Sequence, residues 1–197
     1  MLYALYLNEP QKGVDSFRKT LEKAPPESPQ ALSARRYLAE IYETKLGKPR
    51  EAIAEYEKLM TFSPDPDQTL ESHYRVGEIY FALGDLEQAR TEWDLLVKKD
   101  RKSRWAPLAL YRVGSAYFVA GNCEKAMEIY QEVFTEYREN EMAPLAKFRT
   151  ANCLEESHRQ TEALRLYKEL EGRYPNPDLL ASKMKRLEEE IVNKKPS

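Results

Sequence analysis

The chain has 197 residues, with 31 Lys and Arg against 33 Asp and Glu. A net charge of −2 leaves no cationic footprint for nucleic acid. Charged residues make up 32%, glycine is scarce at 7 and tyrosine abundant at 13, a mix that suits an all-helical protein with much solvated surface. No apolar run approaches the ~18 residues that a membrane span requires, so this segment is not expected to insert into a bilayer.

The start, Met1 to Leu7, is apolar but short, without a basic region before it or a small-residue cleavage site after it. It reads as the end of a helix whose beginning is missing, so the chain is expected to be a piece of a longer protein. Leu2, Leu5 and Leu7 would then expose an open apolar end through which two copies could pair as a homodimer. Pro10-Gln-Lys-Gly13-Val-Asp-Ser-Phe17 parallels Pro49-Arg-Glu-Ala52-Ile-Ala-Glu-Tyr56 further on, which makes residues 1–31 the second half of an earlier unit and its connector.

From there the chain repeats itself. Ala52, Ala89, Ala126 and Ala163 are 37 residues apart, and four residues after each comes Tyr56, Trp93, Tyr130 or Tyr167. A fixed period in this range marks a stacked repeat, in which each unit contacts mainly its neighbours. Before each of the first three alanines lies a turn with a glycine, Gly47, Gly84 or Gly121, suited to a positive φ at a helix end. Asp85 and Asn122 follow as N-caps, Glu87 and Glu124 suit a first turn, and Pro49 suits a helix start. The fourth unit has Glu156-Ser157-His158-Arg159 there, without glycine, so its turn is expected to differ.

The first helix of each unit has its own signature. Ala39, Gly77, Gly114 and Ala151 are small, and Tyr42, Tyr80, Tyr117 and Leu154 follow three residues later on the same face. Pro64 and Pro175 are expected to close the second helix of the first and last complete units. The units run 32–68, 69–105, 106–142 and 143–177. Residues 178–197 read as a charged capping helix with Leu180, Met184, Leu187 and Ile191 on its inner face.

This pattern of small residue, Tyr, Ala, aromatic and Pro resembles the tetratricopeptide repeat over residues 32–177, with Gly77, Tyr80, Ala89 and Trp93 as the matches in one unit. The aromatic that the family carries earlier in the first helix is not kept: His73 and Leu110 stand there. The step of 37 exceeds the roughly 34 of most members. The resemblance implies an all-α fold, a right-handed α-solenoid of helix-turn-helix repeats ending in a capping helix.

It also implies a concave groove lined by the first helix of each unit, where a peptide or protein segment would bind. Residue by residue, the groove aromatics are Tyr74, Tyr111 and Phe148, with Phe81 and Phe118 a turn or two later. The groove arginines are Arg75, Arg112 and Arg149, and Glu78, Ser115 and Asn152 complete the line. Two readings stand side by side. The arginines either pair with a partner's carboxylates or form a structural ladder with Glu78 and neighbouring acids. The aromatics either touch a partner or pack between helices. Chaperone-tail binding is disfavoured, because Arg36 and Glu40 stand where the family's chaperone-binding members carry Lys and Asn. The Ala106-Pro107 and Ala143-Pro144 helix starts and the Tyr174-Pro175 end are similar in style to bacterial cell-envelope members, such as the barrel-assembly lipoprotein and the Tol–Pal coordinator. That slightly favours the periplasm or cell envelope.

Little in the chain invites chemistry. His73 and His158 lack metal-ligand spacing, with His73 read at the start of a helix and Glu71 off its face. No phosphate loop or nucleophile elbow occurs. Glu188 to Glu190 with Lys194 and Lys195 read as a solvated face. Cys123 and Cys153 read as two small buried or half-buried thiols, with a disulfide between neighbouring helices as the alternative. The expectation is a non-catalytic interaction module without cofactor or metal. The alternatives are a self-assembly (dimer) module, or the recruiting domain of a larger envelope or multidomain protein.

Overall fold

The computed structural model describes residues 9–193. Among the described residues there are ten helices and no strand. They are α1 (Pro10–Lys23), α2 (Pro29–Thr44), α3 (Pro49–Phe62), α4 (Pro66–Ala82), α5 (Leu86–Lys99), α6 (Ala106–Val119), α7 (Cys123–Glu136), α8 (Met142–Glu156), α9 (Gln160–Lys168) and α10 (Pro177–Asn193). The residues on which the homodimer expectation rests, Leu2, Leu5 and Leu7, lie outside the described residues, as do Lys194 and Lys195.

The chain divides into two compact units, 1–105 and 106–197. The first holds α1 and the hairpins α2–α3 and α4–α5. The second holds the hairpins α6–α7 and α8–α9 and then α10. In the first unit, Leu38, Ala39, Ala52, Tyr56, Leu59, Val76 and Ile79 share one buried cluster. In the second, Ala151, Leu154, Ala163, Tyr167, Leu170, Leu180 and Leu187 do so. Leu180 and Leu187 put the inner face of α10 into that core, with Met184 packed beside it. Each fully buried leucine, such as Leu180 or Leu187, contributes about 1.5–3 kcal/mol.

Local chemistry explains where the helices begin and end. Five of the ten start on proline, whose absent N–H is one that a first turn leaves without a partner anyway. Asp85 and Asn122 cap α5 and α7 through the amides of Gln88 and Lys125. Gly84 and Gly121 sit at φ +80° and +76°, and the following amides, of Asp85 and Asn122, reach back to the carbonyls of Tyr80 and Tyr117 at 2.9 Å.

The turn of the last hairpin, expected to differ, is the same turn. The amides of Ser157, His158 and Arg159 donate to the carbonyls of Cys153, Glu155 and Leu154, the pattern made by Leu83, Gly84 and Asp85. His158 takes the glycine position at φ +58°, a left-handed conformation that costs a side-chain-bearing residue about 1 kcal/mol. The hydrogen bonds of the turn, rather than the residue at its apex, impose the geometry.

Two further expectations change. Pro175 does not close α9, which already ends at Lys168. The chain runs on in turns, with Gly172 at φ +74° and the Tyr174 amide donating to the Leu170 carbonyl at 3.0 Å. This early exit seats Leu170 in the core and stacks Tyr174 on Phe148 at 4.3 Å between ring centroids. And α4 begins at Pro66, with Asp65 accepting from the Asp67 amide, so His73 lies two turns inside the helix rather than at its start. Its Nδ1 is 2.8 Å from Glu92 Oε2 on α5, a partner outside its own helix face.

Candidate functional site

The recurring aromatic of each second helix lies against the small residue of the first. In α4–α5 the contact is so close that a Cβ on Gly77 would sit 2.3 Å from Trp93 Nε1, and in α6–α7 a Cβ on Gly114 would sit 2.6 Å from the Tyr130 ring. These rings are fully buried, and their polar ends point back to the first helix. Trp93 Nε1 donates to the Tyr74 carbonyl at 3.2 Å, and the Tyr130 hydroxyl to Ser115 Oγ at 3.2 Å. The Tyr56 hydroxyl donates to Glu43 at 3.0 Å, and the Tyr167 hydroxyl to Asn152 at 2.6 Å and also to Glu155. Burial holds the hydroxyls of Tyr56, Tyr130 and Tyr167 far above the ordinary tyrosine range.

On this floor stand the residues expected to line a groove. In the first unit, Tyr74 is half-buried and its ring lies 5.5 Å from Trp105, while Phe81 packs 5.9 Å from Trp93. Arg75 is exposed and its charge acts on the Tyr56 hydroxyl. Glu78 is half-buried and engaged by neighbours. A small cavity of about 150 Å³ opens here, lined among others by Arg36, Glu40, Glu43, Tyr56, Ser72 and Arg75.

In the second unit the aromatic and arginine lines meet. Arg149 Nε donates to the Tyr111 hydroxyl at 3.3 Å, and its guanidinium carbon lies 5.9 Å from the centroid of Phe118. Tyr111 in turn packs 5.6 Å from Tyr130. The groups that interact electrostatically with Arg149 include Tyr111, Tyr130, Tyr174 and Cys153; among the described residues it makes no ion pair. So Arg149 is not a rung in a ladder of salt bridges: it rests in a cradle of tyrosine and phenylalanine. Arg112 is half-buried and engaged by neighbours.

Three expected contact residues turn out to be held by the protein itself. Phe148 is only 6% exposed, packed between Tyr167 at 5.2 Å and Tyr174 at 4.3 Å, and belongs to the core beneath the face. Ser115 and Asn152 accept the hydroxyls of Tyr130 and Tyr167.

Reading the sequence missed Glu155. Its side chain is 12% exposed and accepts from Tyr167, from Lys183 Nζ at 3.0 Å and from Arg186, the last two on α10. The signal was available, since Glu155 stands four residues after Ala151 as Phe118 stands four after Gly114. Missed too was a clasp in the first unit. Asp67 accepts from Arg104 Nη2 at 2.6 Å, Arg104 Nε at 3.2 Å and Trp105 Nε1 at 2.9 Å, and the Arg104 hydrogen bonds hold its carboxyl below the usual carboxylate range.

A larger cavity, about 800 Å³, lies in the second unit near Phe134, Arg138, Pro144, Lys147, Glu169 and Arg173, and none of the expected groove residues lines it. Lys147 there is paired with Glu169 at 2.9 Å and lies over Phe134. Among the described residues no helix is long and apolar enough to cross a membrane.

Comparison with known proteins adds the family. The family model for the tetratricopeptide repeat matches residues 2–69, 74–141 and 114–176. No curated protein matches the chain. Among solved structures, a tetratricopeptide repeat protein from Parabacteroides merdae is similar with a TM-score of 0.69 at 17% identity, covering 96% of this chain and 71% of that one. Pseudomonas aeruginosa pilF follows with a TM-score of 0.68 at 17% identity, covering 98% and 82%. YrrB, described as a TPR protein with an unusual peptide-binding site, has a TM-score of 0.63 at 14% identity, covering 92% and 87%. At these identities the structures speak for the fold alone. The matched segments take in most of the sequence, and the chain belongs to the tetratricopeptide repeat family.

Proposed function

We propose that the chain is a non-catalytic interaction module whose second unit receives a protein or peptide segment on the face formed by Tyr111, Arg112, Phe118, Arg149 and Tyr174. The observation that carries this reading is Arg149, a cation seated on aromatic rings with no carboxylate partner among the described residues. Such a group is suited to a partner that brings an acidic side chain flanked by an apolar one. The acid would meet the planar fork of guanidinium donors, and the apolar group the ring faces. The first unit offers Tyr74, Phe81 and Arg75, the last with the small cavity that it lines, for the same kind of contact. That YrrB is described as having a peptide-binding site lends the reading support by analogy.

A peptide array scanning acidic–aromatic sequences supplies ligands, and titration of a fluorescent hit measures them. Arg149→Glu should weaken binding by about tenfold or more, the worth of one charge-assisted hydrogen bond. Arg112→Glu and Phe118→Ala should also weaken it, and Arg149→Lys should fall in between. Unchanged affinity in all four would remove the groove reading. An envelope location, favoured by the Ala-Pro helix starts, belongs to the same proposal, and fractionation of cells expressing the natural gene tests it.

A further inference from the structure

Cys123 and Cys153 are 30 residues apart in sequence yet meet in the second unit. Cys123 opens α7 and is half-exposed; Cys153 lies late in α8 and is buried. The two thiols lie near enough to act on one another electrostatically, and both are free. Cys123 Sγ also donates to Glu156 Oε2 at 3.3 Å. Glu156 follows Cys153 by one turn on the same face of α8, which independently fixes the start of α7 over this stretch of α8.

We propose that Cys123 and Cys153 form a dithiol modification site that exchanges with small-molecule disulfides to close a bridge between α7 and α8. The more accessible Cys123 reacts first. Its thiolate attacks one sulfur of the incoming disulfide, a Cys123 mixed disulfide forms, and one small thiol leaves with the proton that Cys123 gave up. The Cys153 thiolate then attacks the Cys123 sulfur and displaces the second small thiol. Two protein thiols lose two protons and two electrons, and the oxidant, one small-molecule disulfide, takes them up to become two thiols.

Nothing here requires hyperreactive sulfur. Burial pushes both thiols above the ordinary range, with Glu156 adding to this and Arg149 opposing it at Cys153. The first step is therefore slow near neutral pH. The second step bears the same cost, since Cys153 is the more buried thiol, and is helped because that thiol is already in place, an intramolecular reaction between groups held together.

Incubating the folded protein with oxidised glutathione, followed by intact-mass spectrometry and peptide mapping, tests the site. The expected product is a chain lighter by two hydrogens with Cys123 joined to Cys153. Cys153→Ser should stop at a glutathione adduct on Cys123, with circular dichroism confirming its fold. Cys123→Ser, at the half-exposed position, should leave Cys153 unmodified. A wild-type chain that accumulates the Cys123 adduct without resolving it overturns the proposal. So does one that links to a second chain through Cys123, or one that keeps both thiols free while an unstructured cysteine peptide reacts. A Cys153 adduct in Cys123→Ser overturns the order of attack.

Discussion

The hairpins α4–α5 and α6–α7 carry glycine at the close-packing position of the first helix and phenylalanine four residues later: Gly77 with Phe81, Gly114 with Phe118. The hairpins α2–α3 and α8–α9 carry alanine there and glutamate four residues later: Ala39 with Glu43, Ala151 with Glu155. In the first pair the aromatic of the second helix presses onto a bare backbone, and its polar atom goes to Tyr74 or Ser115. In the second pair the tyrosine hydroxyl reaches a carboxylate one turn further along, Glu43 or Glu155. The same repeat position is thus filled by two coupled solutions. A glycine calls for an apolar neighbour over the flush ring, and an alanine goes with an acceptor for a hydroxyl. The surroundings divide along the same line, because Phe118 lies against Arg149 whereas Glu155 is spent on holding α10.

The comparison can be broken most forcefully at the glycines. Gly77→Ala and Gly114→Ala put a methyl where ring atoms already are, and should each cost about 1–3 kcal/mol in denaturant unfolding despite the better helix propensity of alanine. Gly114→Ala combined with Phe118→Glu recreates the alanine–glutamate solution. If the two positions are coupled, the double variant should be more stable than the sum of the single effects predicts, by about 1 kcal/mol. Strict additivity would make the pairing a coincidence.

Glu155→Gln removes the charge shared by Tyr167, Lys183 and Arg186. It should cost about 1–3 kcal/mol and selectively raise amide exchange in α10. An equal change in every helix would argue against a local clamp. His158→Gly relieves the left-handed side-chain-bearing residue and should gain about 0.5–1 kcal/mol, as a rise in the unfolding midpoint. The smallest effect is at the Asp67 clasp. A carboxyl held low when folded stabilises the chain above the unfolded value near pH 3.9 and stops doing so as pH falls below it. Because the pair is exposed, an Asp67→Asn variant should lose well under about 1 kcal/mol of stability at neutral pH, and the difference should vanish in acid.

Much of the helix frame was legible because each unit writes its own punctuation. Asp85, Asn122 and the glycines beside them are local signals, and local hydrogen bonds satisfy them. The turn at His158 was misjudged because a composition rule stood in for the hydrogen-bond rule behind it. The end of α9 was misjudged because Pro175 can close a helix but does not say where the helix stops; the stacking of Tyr174 on Phe148 decides that, and it is a tertiary contact. Phe148 and Phe118 look alike in sequence, each an aromatic on a first helix. Only the packing of Tyr167 and Tyr174 separates a core ring from a surface one.

The hydroxyls of Tyr56, Tyr130 and Tyr167 carry a consequence for alkaline solution. Kept protonated in the folded chain, they would ionise near pH 10 once released, so unfolding above that pH is coupled to the loss of protons. Each such group removes up to about 1.4 kcal/mol of stability per pH unit beyond pH 10, and three acting together turn a gradual titration into a collapse. Ultraviolet titration should show exposed tyrosines ionising first and reversibly. The buried set should follow in one abrupt step that coincides with the loss of helical circular dichroism, and Tyr130→Phe should shift that step to higher pH.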